Sequence, residues 1–175
     1  MGDARSDLAA PGPERQAELR SVYEANLGGD RLCSDGIRLR SPGEALWIAQ
    51  ALGAPGVHDL SGADGSALSF AGLDLSGVIF VQANLAEATF TRANLAGAVF
   101  FKASLRAANF DGANLRDSVL DNADLRGASG GRADLRNASL FGANLSGANF
   151  EGAALDTDTD LRDALRDSAT RIPRV

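Results

Sequence analysis

The sequence is poor in the residues on which enzyme sites and disulfide frameworks depend. Its 175 residues include one cysteine, one histidine, one tryptophan and one tyrosine, and aromatic residues make up 6%. Because Cys33 is alone, an internal disulfide is excluded and a reducing cytoplasm is expected. There is no run of about 18 apolar residues and no charged start followed by an apolar secretory core. We therefore expect no membrane span and no membrane partner.

No set of residues has the spacing of a catalytic or metal site. His58 is the single histidine and Lys102 the single lysine, and there is no phosphate-binding loop or Ser-His-Asp set. The alternation of Asp156, Asp158 and Asp160 is similar to the start of a calcium loop, but leucine stands where that loop requires glycine. The start of a helix explains these aspartates better. The sequence thus predicts a protein without enzymatic activity, cofactor or metal.

A five-residue pattern organises the chain between Leu68 and Leu155. The triplet Ala-Asn-Leu or Ala-Asp-Leu recurs at 83–85, 93–95, 113–115, 123–125, 133–135 and 143–145. Every fifth residue rotates by about 140° around a helix axis and alternates between the faces of a strand, so this period fits neither element. The pattern indicates a chain that bends at every repeat, with the bulky central residue and the small residue two positions earlier both pointing inward. Asparagine, aspartate and glycine suit the bends.

The tandem motif Ala-(Asp/Asn)-(Leu/Phe)-X-X resembles the pentapeptide-repeat family over a little more than half of the chain. The resemblance implies a β fold, a right-handed quadrilateral β-helix (a solenoid) with four repeats in each coil. It also implies a scaffold whose repeats carry no catalytic residues. Some members of the family bind DNA gyrase or related type II topoisomerases as DNA-like rods and protect them from quinolones or toxins. Many others have no assigned activity.

Four repeats per coil sort the central residues into four columns, and phenylalanine gathers in two of them. The first column is Phe70, Phe90, Phe110, Gly130 and Phe150. Coils about 4.8 Å apart would make roughly five coils into a rod about 24 Å long. Gly130 interrupts the first column, so that either Phe110 and Phe150 lean into the gap or the wall is kinked. We predict a weak spot there and a higher melting temperature for Gly130→Leu.

We predict four parts along the chain, arranged so that both ends of the coil are covered. They are a flexible lead at 1–13, a helical N-terminal capping segment at 14–57, the β-helix at 58–155, and a C-terminal capping helix with a tail at 156–175. In the N-terminal segment we expect a helix from Glu14 to Leu27, a short strand at 37–40 and a second helix from Ser41 to about Leu52. Leucines four residues apart predict the C-terminal helix at 161–165.

One outer face of the predicted coil carries apolar residues in place of polar ones. They lie directly before or after the central residues of the third column: Ile79, Val81, Val99, Phe101, Val119 and Phe141. A soluble monomer normally covers a contiguous apolar patch of this kind. Three alternatives are open: the N-terminal helices or the tail lie over it, two copies of the chain form a homodimer through it, or another protein binds there. These six residues are the candidate partner or dimer interface.

The charges argue against nucleic acid as the partner. The chain has a net charge of −6, and residues 58–155 carry ten acidic and seven basic side chains. An acidic protein repels nucleic acid, and a DNA-like rod needs a dense acidic stripe, which interleaved arginines dilute. Three pairs of arginines align on the rod and can pair with aspartates: Arg106 with Arg126, Arg116 with Arg136, and Arg92 with Arg132. We predict a cytoplasmic, bacterial scaffold for protein–protein interaction, with a DNA-mimicking modulator of gyrase as the alternative.

Overall fold

The computed structural model describes residues 9–27, 37–44, 47 and 59–174. One helix, α1 (Pro13–Leu27), precedes the repeats. Proline suits the first position of a helix, because the N–H that it lacks would have no partner there. The first helical hydrogen bond runs from the N–H of Gln16 to the carbonyl of Gly12 at 2.9 Å. A second helix begins at 42–44, and most of its predicted range lies outside the described residues. No described helix is both long enough and apolar enough to span a bilayer.

Residues 59–174 form a continuous coil with four faces. On each face, single residues of successive coils form parallel β-bridges at intervals of 20 residues up to Ala154, as at Ile79, Val99 and Val119. No longer strand occurs in the described part of the chain. We call the middle residue of each repeat the centre, its neighbours the pre-centre and post-centre residues, and the residue after those the corner. Faces 1 to 4 have the columns of centres that contain Phe70, Leu75, Phe80 and Leu85 respectively.

Main-chain hydrogen bonds join each coil to the next. The centre N–H of Leu85 donates to the carbonyl of Ser104 at 2.8 Å, and the N–H of Ser104 donates to the carbonyl of Ala83 at 2.9 Å. A further bond closes the corner, where the N–H of Ala88 donates to the carbonyl of Leu85 at 3.1 Å. The five-residue period follows from this geometry, because each repeat pairs once along a straight side and then turns.

The interior is filled by the centres and by the small residues two positions before them. Phe90 and Ala88 are both 0% exposed. The rings of face 1 stack in register, with centroids 5.1 Å apart for Phe70 and Phe90 and 5.2 Å apart for Phe90 and Phe110. The predicted columns and the alternation of large and small inward residues are confirmed. Stacking adds to the energy of burying each ring.

Most corners adopt a left-handed backbone conformation. The corner residue has a positive φ at nine glycines and at eleven residues of other types. Glycine adopts this conformation freely, whereas a residue with a side chain there costs on the order of 1 kcal/mol. At Gly77 the requirement is purely conformational, because φ is 68° and a Cβ would meet no atom within 4 Å.

The gap in the first column at Gly130 is filled by the ring of Phe150. A Cβ on Gly130 would lie 2.2 Å from Cε1 and 2.3 Å from Cδ1 of that ring. Phe150 is 1% exposed, so the ring has leaned into the interior and left no void for a leucine. Of the two predicted alternatives, the leaning ring is correct. The expected stabilisation by Gly130→Leu is therefore wrong.

The C-terminal capping helix predicted within 156–175 is also wrong. Residues 156–174 make a last coil instead, whose bridges join Asp160 to Ser139, Leu165 to Asn144 and Arg171 to Asn149. These spacings are 21, 21 and 22 residues, so the last coil contains two additional residues. Leu161 lies at a centre position and is partly buried, whereas Leu165 bridges to Asn144 and is 58% exposed, so the two leucines do not form one apolar helix face.

Side chains of the last coil replace main-chain bonds where the extra residues displace the backbone. The carboxylate of Asp156 accepts the corner N–H of Asn137 at 2.9 Å, and that of Asp167 accepts the N–H of Gly147 at 3.0 Å. The hydroxyl of Thr159 donates to the carbonyl of Leu135 at 3.0 Å. Partly buried apolar residues of this coil still pack on the core. The core is thus closed by a modified coil.

The N-terminal segment meets the first coil on face 4. Arg38 forms a parallel bridge with Asp64, and the N–H of Leu39 donates to the carbonyl of Asp64 at 2.8 Å. Leu39 is buried in the common core. Arg15 of α1 donates to the carboxylate of Glu44 at 3.0 and 3.1 Å and to the carbonyl of Arg38 at 2.7 Å. This arginine therefore ties α1 to the segment that covers the coil.

Candidate protein-binding wall

Face 3 places all six predicted interface residues on one wall. Three are pre-centre residues (Ile79, Val99 and Val119) and three are post-centre residues (Val81, Phe101 and Phe141). We call these six residues the apolar wall. Phe141 is 38% exposed and the other five are half-buried. Stacking of coils at about 4.8 Å, with the two columns about 7 Å apart, makes the first five residues neighbours, whereas Asp121 and Ser139 lie between them and Phe141.

The described part of the C-terminal tail does not cover this wall. Arg38 joins the coil at Asp64, which is on face 4. Residues 156–174 continue the coil past the end of the wall. Phe141, nearest to that end, remains 38% exposed. Among the described residues, the alternative that the tail covers the wall is therefore wrong.

Charged groups border the two aromatic rings of the wall. The Nζ atom of Lys102 lies 5.0 Å from the centroid of the Phe101 ring, and the guanidinium carbon of Arg162 lies 5.8 Å from that of Phe141. Both distances suit a cation–π contact. Asp121, between the rings, accepts a hydrogen bond from the hydroxyl of Ser139. The apolar surface thus has a polar rim, which is the usual anatomy of a protein interface.

The hydrogen bonding of the post-centre N–H groups distinguishes this wall from the other faces. Where the pre-centre residue is Asn or Asp, its side-chain oxygen accepts the post-centre N–H, as Asn109 does from Asp111 at 2.8 Å and Asn114 does from Arg116 at 3.2 Å. Isoleucine and valine have no such oxygen. A column of four post-centre N–H groups on face 3 has no acceptor among the described residues: Val81, Phe101, Asp121 and Phe141.

Two aspartates, Asp134 on face 2 and Asp124 on face 4, are paired with arginines of their own repeats. Arg136 donates two hydrogen bonds to Asp134 at 2.8 and 2.6 Å, and Arg126 does the same to Asp124. These hydrogen bonds lower the pKa of both carboxyl groups. The short motif Asp-Leu-Arg places the two charges on either side of one centre, a signal that the alignment of arginines between coils did not reveal.

The described residues contain no group of three His, Cys, Asp or Glu side chains placed to hold a metal ion. His58 and Cys33 lie outside the described residues. An open depression of about 780 Å³ lies at the C-terminal end of the coil. Its lining is mostly Thr, Asp and Arg side chains. It lacks the enclosed apolar lining that is typical of small-molecule sites.

Comparison with known proteins identifies the repeat. The family model described as Pentapeptide repeats matches eight copies, in the segments 79–117, 98–129 and 118–155. A search of curated protein sequences gave no match.

Three solved structures illustrate the likeness. HetL of Nostoc sp. strain PCC 7120, involved in heterocyst differentiation regulation, is 26% identical, with 54% of each chain covered and a TM-score of 0.43. A pentapeptide repeat protein of the Arabidopsis thaliana thylakoid lumen is 33% identical over 59% of this chain and 71% of its own, with a TM-score of 0.42. Trypsin-treated QnrB1, a plasmid-mediated fluoroquinolone resistance protein, is 20% identical over 62% and 82%, with a TM-score of 0.29. The chain thus spans about half the length of HetL.

Proposed function

Because the chain belongs to the pentapeptide-repeat family, we propose that it is a non-catalytic scaffold that binds another protein through the apolar wall of face 3. Its relatives imply a right-handed quadrilateral β-helix, a fold that exposes long flat faces and builds no catalytic cleft. The observation that carries the proposal is the exposed ring of Phe141, which lies on the same face as the other five residues of the wall.

The wall offers useful binding energy in a small area. A phenylalanine buries about 200 Å² when fully enclosed, so the 38% of Phe141 that is exposed corresponds to about 80 Å². At about 25 cal/mol per Å², covering this ring contributes about 2 kcal/mol. Phe101 and the aliphatic residues beside it add smaller amounts, because they are already half-buried. The partner therefore gains most at the Phe141 end of the wall.

The area of the face argues against a homodimer formed by two flat walls. A face of about five residues by six coils measures roughly 16 by 29 Å, or about 460 Å². Stable complexes bury about 800 Å² on each partner. Two copies opposed through face 3 would fall short of that area. A different protein that reaches around the corners of face 3 fits better.

The gyrase alternative has less support from the surface charges. A DNA mimic needs an uncompensated acidic stripe. On faces 2 and 4, Asp124 and Asp134 are instead paired with Arg126 and Arg136 at 2.6 Å. A supercoiling assay tests this alternative. Inhibition or protection of gyrase at micromolar protein would favour the DNA mimic over the scaffold.

Affinity capture with matched variants tests the scaffold proposal. Phe101→Asp and Phe141→Asp place charges on the apolar wall, and Ala96→Asp places one at the same post-centre position on face 2. We expect the aspartates on face 3 to abolish capture of a discrete partner that the wild type and Ala96→Asp both retain. Melting temperatures within a few degrees of wild type confirm that each variant is folded. Capture of the same proteins by all four chains would contradict the proposal.

A further inference from the structure

The apolar wall carries a column of main-chain hydrogen-bond donors. The post-centre N–H groups of Val81, Phe101, Asp121 and Phe141 follow one another in consecutive coils, about 4.8 Å apart. They face outward, because on other faces the same N–H reaches the outward side chain of an Asn or Asp. Four such donors in a row, beside apolar side chains, form a surface to which a partner can bind through its own hydrogen-bond acceptors.

At both ends of the column a pre-centre aspartate accepts the post-centre N–H, as Asn and Asp do on the other faces. At the N-terminal end of face 3, Asp59 accepts the N–H of Ser61 at 2.8 Å. At the other end, Asp160 accepts the N–H of Arg162 at 3.0 Å. Between them the pre-centre position changes to Ile, Val and Val, and then to Ser139, whose hydroxyl donates to Asp121. The open donors are therefore a local feature of the wall.

The other faces lack a column of this length. Face 1 has two consecutive post-centre N–H groups without an acceptor in the described part of the chain, at Ala71 and Thr91. Face 4 has one, at Arg106. In these three repeats the pre-centre residue is Ser or Thr, which does not accept the bond here. Within the described coil, face 3 alone combines post-centre N–H groups that lack an acceptor with large apolar side chains beside them.

The geometry favours a helix as the occupant of this column. The pre-centre and centre groups of the wall are already used between coils, as where Val99 donates to Val78 at 3.0 Å and Phe80 donates to Val99 at 2.7 Å. An added strand would find no complementary row of donors and acceptors, whereas a helix satisfies its own backbone. Residues three apart on a helix are separated by about 4.5 Å along its axis, close to the coil spacing of about 4.8 Å.

Charge indicates which acceptors the helix presents. Lys102 lies over the wall beside Phe101 and has no ion pair with any described residue. Bonds from N–H groups to carboxylates are about twice as strong as those to neutral acceptors. The carboxylate of Asp121 accepts a hydrogen bond from Ser139, which does not cancel its charge, so it disfavours a carboxylate of the helix at that level of the column.

We propose that the wall binds an acidic amphipathic helix of a partner protein, whose carboxylates accept the N–H groups of this column while its apolar side chains cover Phe101 and Phe141. This inference rests on the proposed function and specifies the partner's chemistry. It also gives a reason for β-branched residues at three consecutive pre-centre positions, where most repeats use a polar residue.

Synthetic peptides test the proposal directly. The probes are three designed amphipathic helices with identical leucine faces, which carry Glu, Gln or Ala at matched positions i, i+3 and i+7 beside the leucines. Fluorescence anisotropy should show binding at least tenfold tighter for the Glu peptide than for the Ala peptide, with the Gln peptide between them. Equal affinity of the three peptides, or no binding by any, would overturn the proposal.

Two protein variants identify the donors. Val99→Asn supplies the side-chain oxygen that accepts the post-centre N–H on other faces. The substitution should therefore protect the amide of Phe101 from hydrogen exchange and weaken Glu-peptide binding at least tenfold. Val99→Thr is the matched control, because Thr89 in the same position leaves the N–H of Thr91 open. Unchanged affinity in Val99→Asn would reject the role of these donors. Capture that still depends on Phe101 and Phe141 would then leave the scaffold proposal standing.

Discussion

Gly130→Leu is expected to destabilise the protein, because the ring of Phe150 occupies the space that a larger side chain would need. The Cβ of the new residue would lie 2.2 Å from Cε1 of that ring, closer than any real contact, and the ring is 1% exposed. Overpacking of this kind costs about 1–3 kcal/mol. For a domain of this size the melting temperature should fall by about 3–10 °C.

The pairing of Gly130 with Phe150 also predicts strong coupling between the two positions. Phe150→Ala should lower the free energy of unfolding by about 3–5 kcal/mol, because neither residue 130 nor residue 150 then fills this level of the column. The double variant Gly130→Leu with Phe150→Leu would recreate the Leu-on-Leu packing of Leu125 and Leu145, both 0% exposed. Urea unfolding should show that it is more stable than the sum of the single effects predicts. A higher melting temperature in Gly130→Leu alone, or additive effects, would refute the reasoning.

Three further predictions concern the corners and the two ends of the coil. Gly77→Ala should lower the free energy of unfolding by about 1 kcal/mol and Glu87→Gly should raise it by a similar amount, because both corners have positive φ; urea unfolding measures both. Leu39→Ala should lower the free energy of unfolding by about 2–5 kcal/mol and speed amide hydrogen exchange in the first coil. The hydrogen bond from Arg162 lowers the pKa of Asp160 to about 2, and main-chain N–H donors lower that of Asp167. Stability from these carboxylates is therefore present above about pH 4 and lost as the pH falls toward 2, which amide exchange of the last coil can follow.

The period of the sequence was sufficient to predict the coil, its four columns and the composition of the apolar wall. Each of these depends only on spacing, and spacing is constant from Asp59 to Ala154. The same information could not reveal where the spacing changes. In the last coil one added residue shifts the inward positions to Thr159 and Leu161 and leaves Leu165 58% exposed, although the leucines have helical spacing.

The position of the Phe150 ring needed coordinates, because it depends on how neighbouring coils respond to Gly130. The shift of the Phe150 ring toward Gly130 is a packing adjustment, and the order of residues in a column does not distinguish it from a kink in the wall. The open N–H column, by contrast, had a signal in the sequence. Apolar residues at the pre-centre positions of Ile79, Val99 and Val119 mark it, because Asn or Asp there would accept the N–H.

The most direct test of the binding wall is site-specific photo-crosslinking in cells of the source organism. A photoreactive phenylalanine analogue at position 141 lies on face 3, and one at position 96 lies at the equivalent place on face 2. We predict a discrete protein adduct from position 141 that Val99→Asn weakens, and no such adduct from position 96. Equal adducts from both positions, or none from position 141, would contradict this prediction.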